Sequence, residues 1–227
     1  MTLTSGVGTP GRPMQLLLVG AHADDIEIGC GGSLLWWIRS GEPVDVTWVV
    51  LAAAGAREAE ARSSAEFFVR GAARSRILTH RFRDGYFPYD ASIKDVFEQL
   101  KTEVEPDVVF THYRDDRHQD HRVVSDLTWN TFRSHLILEY EIPKYDGDLG
   151  APNVFVPLPA DICDAKVDGL LAYFPSQARK RWFTRDTFLG LARLRGIEAG
   201  ESTAYAEAFY GRKLALAPAL TPSAKPV

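Results

Sequence analysis

The chain has 227 residues, 45% hydrophobic and 25% charged, with a net charge of -4 when histidine is counted neutral. That suits one ordinary globular domain with room for a core. The weak negative charge leaves no electrostatic footprint for nucleic acid or an anionic membrane, so neither is expected as a partner. Cys30 and Cys163 have no CxxC spacing, which argues against a disulfide framework and a thiolate metal site. With no signal-like start and no apolar run long enough to span a bilayer, a cytoplasmic protein is expected.

In chain order, residues 1–12 are rich in Gly, Thr and Pro and read as a mobile leader. The run Met14-Gln15-Leu16-Leu17-Leu18-Val19-Gly20 reads as a strand buried on both faces, and its carboxyl end delivers Ala21-His22-Ala23-Asp24-Asp25. Gly29-Cys30-Gly31-Gly32 is expected to bend the backbone tightly into a helix over 33–39, closed by Gly41. Residues 44–51 form a second strand, and 57–70 a helix with Ala61, Ala65 and Phe68 inward. A third strand follows over 75–82, then a helix over 93–104 with Val96, Phe97 and Leu100 inward, then a fourth strand over 106–112. Beyond a helix reaching about 132, a fifth strand is expected at 136–142 and a short one at 154–156. Helices are expected at 161–173 and 187–194, and a flexible tail at 215–227. No repeat or linker marks a second domain, so 13–214 is read as one α/β, Rossmann-like domain with a mostly parallel twisted sheet flanked by helices.

One His and two Asp within four residues beside a buried strand are costly unless a cation holds them. The alternative is that the two Asp cap the next helix. The fourth strand delivers a second cluster, Thr111-His112-Tyr113-Arg114-Asp115-Asp116-Arg117-His118-Gln119-Asp120-His121. If strands one and four are neighbours, as at the switch point of a doubly wound sheet, both clusters face one crevice. His118 and His121, three residues apart at a helix start, can project to one side. A capping reading must then explain two charged clusters at equivalent strand ends, which favours a metal site.

These residues carry a resemblance. The chain is similar to the LmbE/PIG-L family of zinc-dependent N-acetylglucosaminyl deacetylases: His22-Ala23-Asp24-Asp25 matches the family's His-Pro-Asp-Asp motif, followed by its glycine-rich turn, and His118-Gln119-Asp120-His121 matches His-x-Asp-His. The likeness extends through Arg57, Glu60, Asp84-Gly85, Tyr140-Glu141-Ile142-Pro143, Ser176-Gln177, Arg195-Gly196 and Ala206-Glu207-Ala208-Phe209. The departure at the core is Ala23 for proline, which loosens the turn without removing a ligand.

The resemblance implies that His22, Asp25 and His121 bind one zinc ion per chain, with Asp24 as general base. It further implies that His118 stabilises the oxyanion with Asp120 behind it, and that Arg57 contacts sugar hydroxyls. The reaction implied is removal of acetyl from an N-acetylated amino sugar of GlcNAc type, or from a glycoconjugate of one. Rival readings are an amidase cleaving a larger acyl group from a glucosamine-containing thiol conjugate, and a non-catalytic nucleotide- or sugar-binding module. The dinucleotide fingerprint fails, because its third glycine position is Leu34 and the second strand ends in Ala52-Ala53-Ala54 without an acidic residue. A homo-oligomer is compatible with the sequence, which leaves the oligomeric state and the sugar's attachment open. Among the remaining residues, His112 is expected to satisfy a strand end and Cys30 to be a buried filler. Trp36 and Trp37 are expected to pack on the sheet.

Overall fold

Alternate residues of the first strand, β1 (Met14–His22), feed two separate apolar clusters: Leu16 and Leu18 enter one, Leu17, Val19 and Ala21 the other. A strand buried on both faces belongs inside a parallel sheet with helices on either side, and that is the fold of this computed structural model, which describes residues 11–200 and 202–214. The leader expected at 1–12 lies outside the described residues except for Gly11 and Arg12, and the tail expected at 215–227 lies wholly outside them. Among the described residues no helix is long and apolar enough to cross a membrane.

The remaining strands are β2 (Val44–Ala52), β3 (Arg74–Thr79), β4 (Val108–His112), β5 (Leu136–Tyr140), β6 (Val154–Leu158) and β7 (Tyr205–Gly211), in the sheet order β3-β2-β1-β4-β5-β7-β6. Strands β1 to β5 pair in parallel, while β7 runs antiparallel to both β5 and β6. The helices are α1 (Asp25–Arg39), α2 (Ala56–Phe68), α3 (Ser92–Glu103), α4 (Gln119–Thr131), α5 (Ala160–Tyr173) and α6 (Arg185–Ala199). Apolar residues of α1, α2 and α5 join Leu16 and Leu18 on one face, and those of α3 and α4 join Leu17 and Val19 on the other. Ala61, Ala65, Phe68, Phe97 and Leu100 are buried as expected, whereas Val96 is partly exposed. β1 and β4 are neighbours, so the order of strands reverses between them and the two polar clusters emerge side by side.

The sequence reading misses β7. Its centre, Ala206-Glu207-Ala208, has low strand propensity and places a carboxylate at a buried position, which hides the pattern.

The glycine run also corrects expectation. Helix α1 begins at Asp25, eight residues before Ser33, and Gly29, Gly31 and Gly32 lie inside it without positive φ. They serve close packing instead of a turn. A Cβ at Gly31 would lie 2.7 Å from Phe68 Cε1, and one at Gly29 would clash with Cδ2 and Cγ of Tyr140. The amides of Gly32 and Ser33 nevertheless behave like those of a helix's first turn, donating to Glu207 Oε1 at 2.8 Å and Oε2 at 2.6 Å. Lys166 Nζ completes the arrangement, donating to Glu207 Oε1 and to the Ile28 carbonyl, each at 2.6 Å. A buried ion pair thus inserts beside the helix ladder.

Tyr140 cannot retreat from Gly29, because it is fully buried and its hydroxyl donates to the Val19 carbonyl at 2.7 Å. Gly29→Ala gains ~1 kcal/mol of helix propensity but overpacks a fixed ring, an effect of about 1–3 kcal/mol that falls at its upper end here. The expected net result is a thermal midpoint lower by about 4–8 °C. An unchanged midpoint means that the Tyr140 ring yields.

Candidate metal centre and cleft

The turn from β1 into α1 is strained. Asp24 has φ 110° and ψ -21°, the sole non-glycine positive φ among the described residues, a conformation that costs about 1–3 kcal/mol and clusters at functional sites. The Ala23 carbonyl accepts from Arg57 Nη2, which also donates to Asp24 Oδ1 at 3.0 Å, so an arginine braces the turn where the family's proline is missing. Asp24 Oδ2 is buried without a hydrogen-bond partner.

Three donor atoms converge beside it. His22 Nδ1 lies 3.2 Å from His121 Nε2, Asp25 Oδ2 lies 3.3 Å from His22 Nδ1, and His121 Nε2 lies 3.5 Å from Asp25 Oδ2. The other nitrogen of each imidazole is already engaged. His22 Nε2 is 3.3 Å from Asp120 Oδ2 and 3.1 Å from Asp84 Oδ1, and His121 Nδ1 is 2.9 Å from Asp116 Oδ2. Carboxylates behind both rings fix their tautomers and leave the facing nitrogens free to bind a cation. His112 is occupied differently: its Nε2 accepts from the Ala21 amide at 3.0 Å, and its ring stacks on His121 at 3.8 Å, satisfying the strand end.

The helix that carries His121 begins one turn earlier at His118, whose Nδ1 accepts from the Asp120 amide at 3.3 Å as the cap of α4. A neutral ring with Nδ1 so engaged carries its proton on Nε2. Its ring lies 4.8 Å from that of His22. Nitrogens of His22, His118 and His121 lie within 4.8 Å of one another, as do donor atoms of Asp25, His112 and His121.

The adjacent carboxylates titrate in opposite directions. Burial pushes Asp24 up to about 7, against the pull of the Arg57 guanidinium. Burial also opposes ionisation of Asp25, but the neighbouring imidazoles of His121 and His112 outweigh it and hold this carboxyl well below the usual range. Burial, helped by the nearby His112, lowers His121 to about 3, against the pull of Asp25 and Asp116. Burial lowers His22 too, but hydrogen bonds to Asp120, Asp25 and Asp84 reverse that and favour positive charge at this spot.

A cleft of about 580 Å³ opens over the cluster, lined in part by His22, Asp24, Asp25, His118 and His121. All four histidine and aspartate positions expected from the motifs as ligands or base are thus brought together. Two expectations change. The Asp120 carboxylate stands behind His22, fixed there by the amides of Gly85 at 2.6 Å and Phe87 at 3.2 Å, and not behind His118. Arg57 lines the cleft but spends its guanidinium on Asp24 and Ala23. Asp116 was missed, although a second partner for the His121 ring was to be sought among the acids just upstream. Lys144 donates to Asp116 Oδ2 at 3.0 Å and anchors it. Lys180 and Trp182 reach the cleft from a loop some sixty residues downstream, with no local signal in the sequence.

A profile of the PIG-L family, described as GlcNAc-PI de-N-acetylase, matches residues 17–132. The chain is similar to the uncharacterized deacetylase YaiS of Escherichia coli K12, with 28% identity over 139 residues, 57% of this chain and 74% of that one. Its fold is that of the conserved protein TT1542 of Thermus thermophilus, with a TM-score of 0.71 and 22% identity over 92% of this chain and all of that one. It is also that of N,N'-diacetylchitobiose deacetylase from Pyrococcus horikoshii, with a TM-score of 0.65 and 22% identity over 86% of this chain and 82% of that one. With the family profile spanning both polar clusters and the switch point between them, the chain belongs to the PIG-L (LmbE-like) deacetylase family.

Proposed function

We propose that this chain is a zinc-dependent hydrolase that removes the acetyl group from an N-acetylated amino sugar of GlcNAc type or its conjugate. The observation that carries this reading is the triangle of His22 Nδ1, Asp25 Oδ2 and His121 Nε2, with sides of 3.2, 3.3 and 3.5 Å. A tetrahedral zinc ion with bonds of about 2.0–2.1 Å sets its donors about 3.3–3.4 Å apart. One carboxylate and two neutral imidazoles also match the donor set of open catalytic zinc sites. Bound there, the ion supplies the Lewis acidity that activates water near neutral pH and polarises an amide carbonyl.

The chain's own residues supply the rest. Asp24 takes the proton of the attacking water on a carboxylate oxygen, while Arg57 on Oδ1 fixes the side chain at the cleft wall. The same oxygen then returns the proton to the leaving amine. His118 donates from Nε2 to the developing oxyanion, a contribution of about a hundredfold to a thousandfold. Asp116 and Asp120 hold the two ligating rings in register. Asp116→Asn is therefore expected to weaken zinc affinity by roughly 10–100-fold with the fold intact, as a competitive chelator titration measures; unaltered affinity removes Asp116 from the site.

The reading is tested by incubating zinc-loaded protein with N-acetylated amino sugars and assaying both free amine and acetate. Amine and acetate in equal amounts support it. Amine release from larger acyl conjugates alone points to the amidase instead, and no amine from any of them refutes the hydrolase.

A further inference from the structure

Five cationic side chains, Arg57, Arg81, Arg83, Lys144 and Lys180, line the cleft against three carboxylates, in a chain whose net charge is -4. Three of the five are already paired: Arg57 with Asp24, Arg81 with Glu58, and Lys144 with Asp116 and Asp148. The other two differ. Among the described residues neither Arg83 nor Lys180 forms an ion pair, and each is held by an aromatic ring. The Arg83 guanidinium lies 3.6 Å from the centre of the Tyr86 ring, and Lys180 Nζ lies 5.3 Å from that of Trp182. A ring face steadies a cation without neutralising it. Two exposed charges are therefore oriented at the cleft and left available.

Their supports are independent. Arg83 stands between β3 and α3, whereas Lys180 stands on the α5–α6 connection. That connection is anchored on both sides of Lys180. Ser176 donates from its amide and Oγ to Glu60 of α2 at 2.9 and 2.6 Å, and Phe183 is buried in the core. The acids of the cleft form no ion pair with either cation, although the Lys180 charge is near enough to Asp24 to pull on its carboxyl. Asp24 and Asp25 are buried and engaged with Arg57 and the imidazoles, and Asp84 faces His22. Like charges gathered around one concavity repel, and an oppositely charged ligand relieves that repulsion and is drawn in by it.

We propose that the substrate carries an anionic group, phosphate or carboxylate, on the acetylated sugar or its attached moiety, and that Arg83 and Lys180 bind it. The amide chemistry rests on the deacetylase reading above; the anion does not. The test measures binding and turnover separately on the zinc-loaded chain, using N-acetylglucosamine 1-phosphate, N-acetylmuramic acid and the neutral methyl glycoside of N-acetylglucosamine. Calorimetric titration should show an anionic sugar bound about tenfold or more tightly than the neutral one, a preference that shrinks as salt rises from about 20 to 500 mM. In the Arg83→Gln/Lys180→Gln double variant the ratio of anionic to neutral affinity, and of their kcat/KM values, should fall by about tenfold. The stronger of the two acidic ligands identifies phosphate or carboxylate as the group. Equal affinity for charged and neutral sugars overturns the proposal, as does a preference that survives the double substitution. Turnover without anion preference refutes this inference alone, and anion preference without turnover of any sugar refutes only the deacetylase reading.

Discussion

Asp24→Asn is expected to keep about one zinc ion per chain while deacetylation falls by roughly a hundredfold to ten-thousandfold, the usual range for a lost general base. The substitution is nearly isosteric, and asparagine tolerates the positive φ that this position demands. The substituted amide can still accept from Arg57 on its carbonyl oxygen, so the brace on the turn survives. Only the basic oxygen is gone. Initial rates and metal analysis on the same preparation check the two halves together. Activity within a few-fold of the parent protein would move the proton transfer to another group.

The neighbouring substitution inverts that pattern. Asp25→Asn should cost more zinc affinity than the roughly 10–100-fold typical of changes behind the ligands, because a neutral amide is a poor ligand and the site forfeits a charge. The fold should persist, since the carbonyl oxygen of the new side chain can still accept from the His22 amide, now bonded to Asp25 Oδ2 at 2.7 Å. Excess metal should restore part of the rate in Asp25→Asn and none in Asp24→Asn. If instead Asp24→Asn sheds the metal while Asp25→Asn holds it, the roles are exchanged, and the alanine at position 23 becomes the first suspect.

Much of this arrangement was legible in the sequence, for a physical reason. A buried strand of a parallel sheet is a solid block of Leu and Val, and the point where it turns polar marks the ligand-binding edge. Both clusters advertise themselves in this way, at the ends of β1 and β4. What surrounds them does not. Asp84 and Lys180 reach the site across loops whose path only the folded chain decides. The partner of Asp120 depends on which ring the α4 entry brings within reach, and the residue next in line along the motif was not it. Glycines at 29, 31 and 32 look the same to a reader of sequence whether they bend the chain or let Tyr140, Phe68 and Leu158 press against it.

The contact of Glu207 with α1 also has a temporal meaning. Glu207 belongs to β7, the last strand in the described chain, while the helix it caps from the side carries Asp25 at its start. A nascent polypeptide emerging from the ribosome holds both polar clusters long before that strand is made. Until it arrives, the amides of Gly32 and Ser33 and the ammonium of Lys166 await a partner they must have once buried. Support of the edge that gathers the proposed ligands is thereby tied to the synthesis of β7, and a chain cut short of that strand carries Asp25 on a helix that has lost its lateral cap.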